Sequence, residues 1–307
     1  MIAARADGAD LERRFGGLRR LYGDARYAQL RAARVAVVGL GGVGSWAAEA
    51  LARCGVARLV LIDLDHVAES NVNRQVQALG RTLGQAKALA LAERCADIHP
   101  GCELLPVEDF VAPDNWPALL PAAVDVVIDA CDQVRAKLAL AAWSLREGVP
   151  LVCVGAAGGK RQPQRVEVAD LAEATHDPLL ASLRQRLRKE AAAPRQGLMG
   201  VRCVFSRESV VAPAAVCEAD DPGAAAAAVD GSLNCHGYGS SVMVTATFGM
   251  VAAAQALQAL WAAAATPKAA QKADIISGST DGSLAQSVEQ RTFNPLVACS
   301  SHARPTT

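Results

Sequence analysis

Gly39-Leu40-Gly41-Gly42-Val43-Gly44 satisfies the pattern G-x-G-x-x-G. It lies between an aliphatic run, RVAVVG at 34–39, and a segment of helical spacing at 42–54. In that setting glycines allow a tight turn and a close approach of backbone to phosphate. The free N–H groups of the helix start then face the anion. Asp63 closes the next aliphatic run, RLVLID, where a carboxylate can accept hydrogen bonds from ribose hydroxyls. The glycines do not choose between a dinucleotide and a mononucleotide such as ATP. The residues downstream do so better. Asn71, Asn73, Arg74 and Gln75 follow in ESNVNRQ, Lys87 in GQAK and Asp132 in IDACDQ. Hydride transfer has no need of two cations and a carboxylate at this point. Adenylation does: Arg74 and Lys87 would neutralise a triphosphate and its departing pyrophosphate, and Asp132 would hold Mg²⁺. Taken singly, each of the three also reads as a solvated surface charge, so the expectation rests on their joint placement after strands two and four.

Those side chains need a scaffold. Five short aliphatic runs, at 34–39, 58–63, 102–107, 124–129 and 150–155, alternate with helical segments at 42–54, 84–98 and 134–146. Strand–helix alternation predicts an α/β fold: a doubly wound, Rossmann-like, mostly parallel sheet with helices on both faces. Ligands bind in such folds at the carboxyl ends of the strands, which puts Gly39, Asp63 and Asp132 on one edge. After Gly155 the alternation stops. Strands are expected at 165–168 and 201–212, with a charged helix at 178–193, a loop at 213–239 and a long apolar helix at 240–267. We therefore expect an N-terminal arm (1–33), helical or irregular, and an ATP-binding Rossmann-like part (34–160). A C-terminal part carrying substrate and dimer elements (161–268) and a disordered tail (269–307) would follow. The end of that tail looks like the translation of a tRNA gene.

Lys+Arg and Asp+Glu both number 31, so a generally basic nucleic-acid coat is excluded and any such contact must come from a local patch. The 9 cysteines form no C-x-x-C pair, which argues against a disulfide scaffold and a four-cysteine zinc site. No apolar leader is visible, and a reducing cytoplasm is the simplest compartment. The uncharged stretch 240–267 is long enough to span a bilayer. It is alanine-rich, carries Thr245, Thr247, Gln255 and Gln258, and lacks a basic flank. It is read as a buried or dimer-interface helix rather than a membrane span.

GxGGxG, LIDLD (with Asp63 and Asp65), ESNVNRQ, GQAK and DACD together resemble the adenylation domain of the ubiquitin-activating-like superfamily. That resemblance implies that Asp63 binds ribose, that Asn71, Arg74 and Lys87 contact ATP phosphates, and that Asp132 holds Mg²⁺. It also implies a homodimer whose partner subunit supplies an arginine, and Arg14 and Arg20 both qualify. RFGGLRRLYG, EDFVAPDN, GAAGGK, DPLLASLRQRLRK, CVFS and MVTATFG are similar to one branch, the tRNA threonylcarbamoyladenosine dehydratases. For that branch the implied reaction is ATP-driven activation of a carboxylate beside the tRNA anticodon, followed by ring closure. A cysteine desulfurase system is an implied associate. Cys235, in NCHGYGSS, stands where an activating enzyme could take up an acyl group as a thioester. A structural thiol is the larger alternative.

A local tRNA surface is expected from Lys160, Arg161, Arg184, Arg188 and Lys189. The plain alternative is a solvated helix face balanced by neighbouring acids. Three competing functions remain at this point. They are an adenylyltransferase acting on a sulfur-carrier protein, an NAD-dependent oxidoreductase and a membrane-anchored nucleotide-binding module. Missing C-x-x-C pairs weigh against the first. Arg74, Lys87 and Asp132 weigh against the second.

Overall fold

Val35–Val38, Leu59–Ile62 and Val126–Ile128 are β-branched and aliphatic without a polar break, as strands covered on both faces must be. A computed structural model describes residues 8–191, 193–210 and 238–265, all within the unit Met1–Thr266. Two helices come first, α1 (Leu11–Tyr22) and α2 (Asp24–Ala32), then β1 (Arg34–Val38), α3 (Gly44–Cys54) and β2 (Arg58–Ile62). The chain continues through α4 (Lys87–Ile98), β3 (Glu103–Val107), β4 (Val126–Asp129), α5 (Val134–Glu147) and β5 (Leu151–Val154). It closes with β6 (Val166–Asp170), α6 (Pro178–Glu190), β7 (Arg202–Ser206) and α7 (Val242–Ala265).

The strands form one sheet in the order β3-β2-β1-β4-β5-β7-β6. All neighbours are parallel except β6, which runs antiparallel to β7 at the edge. Alternate residues of each strand feed two cores. Val35, Val37, Leu59, Leu61 and Ile128 pack under α3, α4 and α7. Ala36, Val38, Val60, Ile62 and Phe205 pack under α5 and α6. Local signals set the helix ends. Asp10 caps α1 by accepting from Arg13 N, and Asp177 caps α6 by accepting from Leu180 N, with Pro178 in the first turn. Gly55 and Gly148 end α3 and α5 in the left-handed conformation.

The expected arm at 11–33 is two helices rather than irregular chain. Helix α4 begins at Lys87, not at Gly84, because Gly84 adopts φ +80° and Gly84–Gln85 pair back with Val67. Helix α6 ends at Glu190, short of Ala193. Strand β7 stops at Ser206, where Glu208 folds back to accept from Arg161 N and Gln162 N. The segment 213–237, Cys235 with it, and the tail 269–307 lie outside the described residues.

Helix α7 alone among the described residues is long and apolar enough to cross a membrane. Its Val244, Phe248, Ala252, Ala256 and Leu257 are buried in the core shared with α3. Gly249 permits the contact: a Cβ there would lie 2.5 Å from Val43 O and 2.8 Å from Trp46 Cβ.

Candidate active site

The loops that follow β1, β2, β4 and β5 enclose a cleft of about 540 Å³, a size suited to a nucleotide. Gly39 turns the chain out of β1 at φ +83° and lies tight against the Ala130–Cys131 backbone, 2.8 Å from where its Cβ would stand. A Cβ on Gly44 would sit 1.8 Å from Gly39 O. Gly41 differs: beyond its chain neighbours, no atom of the described residues lies within 4 Å of its Cβ position, so that space is open to whatever enters the cleft.

Asp63 braces this turn. Its buried carboxylate accepts from Leu40 N at 2.6 Å and from Asp65 N at 2.9 Å. Burial pushes its pKa up, while Lys87 and the two N–H bonds pull it down; the net shift is upward. Lys87, the first residue of α4, carries a buried ammonium 2.6 Å from Asp65 and 4.0 Å from Asp63. Asn71 Oδ1 accepts from Ala68 N, which tightens the short turn after β2. Arg74 Nη1 donates to Ser70 O and to Asn73 Oδ1. The carbonyl of Arg74 is gripped by Trp46 Nε1 at 2.9 Å and by the Thr245 hydroxyl at 3.4 Å. Helices α3 and α7 thus hold the arginine's backbone jointly. Asp132, ahead of α5, is exposed at the cleft and makes no hydrogen bond or ion pair among the described residues.

Gly39, Gly41, Gly42, Asp63, Asp65, Asn71, Arg74, Lys87 and Asp132 therefore meet in one place. Gly44 supports the turn from inside α3. Arg14 is not in the cleft: it donates to Asp97 O and Ile98 O at the end of α4. Arg20 is exposed and unpaired among the described residues.

The expected tRNA cations divide, and Lys160 needs correction. Lys160 is buried, at 3% exposure, and donates to Ser206 O and Glu208 O, so it cannot serve as a surface contact. Arg184 donates to Leu171 O and Ala174 O, and Arg188 to Pro194 O. Both are half-buried, and each of these bonds uses only one nitrogen of the guanidinium. Arg161 and Lys189 are exposed.

Two supporting residues escaped the sequence reading. Asp177, besides capping α6, accepts from Ala156 N at 2.8 Å and so holds the Gly155–Gly158 loop of the cleft. Lys137 is fully buried beneath the cleft, paired with Asp129. Its signal was available: it falls on the same helical face as Leu140, Ala141 and Ser144.

A nucleotide turn at a Rossmann-type strand edge, with two cations and a free carboxylate, defines an ATP-handling α/β protein. The ThiF family profile matches residues 14–296, and the chain belongs to that family. Within it, the chain is 45% identical over 260 residues to the tRNA threonylcarbamoyladenosine dehydratase of Escherichia coli K12, covering 82% of this chain and 95% of the relative. The crystal structure of the E. coli tRNA N6-threonylcarbamoyladenosine dehydratase in complex with ATP superposes with a TM-score of 0.72 at 42% identity, covering 86% of this chain and 99% of that one. The molybdopterin-synthase adenylyltransferase of E. coli K12 matches less, at 38% identity over 123 residues, 40% of this chain and 49% of the relative.

Proposed function

We propose that this chain uses ATP to activate the carboxylate of threonylcarbamoyladenosine in tRNA and closes it into the cyclic form. The observation that carries this reading is the single cleft uniting the phosphate turn, Asp63, Arg74, Lys87 and Asp132. It stands on a chain whose match to the E. coli dehydratase runs almost the length of that relative. The sulfur-carrier alternative is disfavoured by the shorter match to the molybdopterin-synthase adenylyltransferase.

Asp63 offers its remaining lone pairs to the ribose while it braces the glycine turn. The backbone around Gly41 takes phosphate. A carboxylate oxygen of the substrate attacks the α-phosphorus, and the bond to pyrophosphate breaks. Arg74 and Lys87 meet the charge that gathers on the leaving group. Lys87 reaches it by exchanging Asp65 for phosphate. A nitrogen or oxygen of the same modification then attacks the acyl carbon. It loses its proton, and AMP departs with the former carboxylate oxygen. The nucleoside has lost the elements of water, and proximity replaces a protein nucleophile. Asp132 suits Mg²⁺, which takes one or two carboxylates together with phosphates rather than an all-protein cage. No cluster of three acidic, His or Cys ligands exists among the described residues. The ion would neutralise phosphate charge beside Asp132.

Residues 34–160 would then carry the nucleotide and 161–268 the substrate and dimer elements. Arg161 and Lys189, with the half-buried Arg184 and Arg188, are the cations that would meet tRNA phosphates. Met243 and Met250, exposed on α7, are the apolar groups a second copy would cover. With Arg14 engaged at α4, Arg20 is the arginine left to reach a partner's ATP. A cytoplasmic setting accords with a tRNA substrate, while a cysteine desulfurase partner rests on the resemblance alone.

The test is AMP formation from ATP and Mg²⁺ with tRNA carrying threonylcarbamoyladenosine, against the same tRNA lacking it. The nucleosides are weighed in parallel. Modification-dependent AMP with loss of one water is expected. ATP binding without AMP or mass change would overturn the reading and favour a carrier-protein substrate.

A further inference from the structure

Beneath the cleft lies a charge pair that the chemistry above does not use. Lys137 Nζ stands 3.1 Å from Asp129 Oδ1, and both side chains are wholly buried. Burial, the largest single influence, lowers the pKa of Lys137; Asp129 together with Cys153 and Cys131 raises it, and the net shift is upward, so the ammonium stays charged. Apolar residues of similar volume often serve stability as well as such a pair does. The remaining bonds show what else the pair does. Lys137 donates to Val154 O at 2.7 Å and lies 3.7 Å from Cys153 Sγ. Val154 ends β5, and Gly155–Gly158, which follow it, line the cleft. Asp129 ends β4. Its Oδ1 also accepts from Cys131 N at 3.2 Å and from the Cys131 thiol at 2.9 Å, which shapes the turn leading to Asp132. That turn is the same backbone against which Gly39 is packed.

We propose that Lys137 and Asp129 are positioning residues: their bond sets the separation between the Asp132 turn and the Gly155–Gly158 loop, and so the geometry in which carboxylate and ATP meet. This rests on the ATP-dependent reading above. The groups assigned above to ribose and phosphate, at the glycine turn, Asp63 and Lys87, lie on the β1 and β2 side. The pair therefore governs turnover more than ATP affinity.

Two variants test this, each assayed well below its own melting temperature: K137Q, and the double variant D129L/K137M, which removes both charges together. AMP release gives kcat and KM for ATP, direct titration gives ATP affinity, and hydrogen–deuterium exchange reads the segments 130–133 and 155–158. The expected result is kcat lowered by about tenfold or more with KM and Kd within about threefold. Exchange should be faster in both segments. The double variant should recover the wild-type melting temperature without recovering kcat. Wild-type kcat in the double variant, or unchanged exchange in both segments, would overturn the proposal. If the wild-type chain itself releases no AMP, the functional reading fails instead. Exchange and ATP affinity then judge the positioning role alone.

Discussion

At Gly41 a Cβ would meet no atom of the described residues within 4 Å beyond its chain neighbours, and its φ lies outside the left-handed region. Nothing among the described residues therefore demands glycine there. Gly44 is the reverse case, with Gly39 O in the place a Cβ would take. Gly41→Ala should leave the melting temperature unchanged and weaken ATP binding by about tenfold, about 1.4 kcal/mol, read by titration. Gly44→Ala should lower the melting temperature itself. Equal thermal effects of the two would show that Gly41 is packed after all. The pattern G-x-G-x-x-G marked both residues, yet only their surroundings separate the one facing ligand from the one facing protein. The same limit applies to lysine. Lys87 and Lys160 both read in the chain as cations open to a ligand, but the first lines the cleft and the second holds carbonyls at the β7 end.

Among the elements, α7 has a reach that its uncharged sequence conceals. It lies along α3 at Gly249, and its Thr245 grips the carbonyl of Arg74 beside the indole of Trp46. A helix that could pass for a membrane span is thus a wall of the nucleotide site. Gly249→Ala would push α7 away from Val43 and Trp46. We expect a loss of about 1–3 kcal/mol in stability, the usual range for overpacking a close contact. ATP affinity should fall with it, because Arg74 loses part of its anchor. A melting curve and an ATP titration on the same sample check this; a stability loss with unchanged affinity would uncouple α7 from the site. The uncharged apolar run at 240–267 placed this helix within a few residues. Its partner could not be read from it, since an alanine-rich surface fits many neighbours.

Across the whole molecule, the N-terminal helices are fastened to the end of the sheet away from the cleft by a cluster at His99. Arg31 lies 3.1 Å from His99 Nε2 and also donates to Gly55 O, while Phe15 packs edge-on at 4.7 Å between ring centroids. A guanidinium can only donate, so the imidazole is neutral and accepts. Burial, then Arg31 and Arg14, push its pKa down to about 4. The unfolded chain regains a proton near pH 6.5, the ordinary histidine value, and the folded one does not until pH falls to about 4. The folded state therefore loses stability as pH falls through that window and keeps it above. Urea unfolding at pH 7 and pH 5 should show a drop of about 1–2 kcal/mol that His99→Gln flattens. An unaltered drop in the variant would take the effect away from His99; Glu49, whose pKa burial raises but Arg94 and Arg53 lower further, gives up its contribution only below about pH 4.5.

The order of strands and helices was legible because parallel strands buried on both faces must be apolar throughout, and glycines must end them where phosphate approaches. The cluster of Gly39, Asp63, Arg74, Lys87 and Asp132 was legible for a related reason: strand ends in such a sheet share one edge. What only the tertiary structure decided is which charges remain available for ligands. Lys160 turns to backbone carbonyls, Arg14 closes the end of α4, and Lys137 disappears beneath β4 and β5. A charged side chain's role depends on the nearest unpaired acceptor in space, and the linear chain does not carry that information.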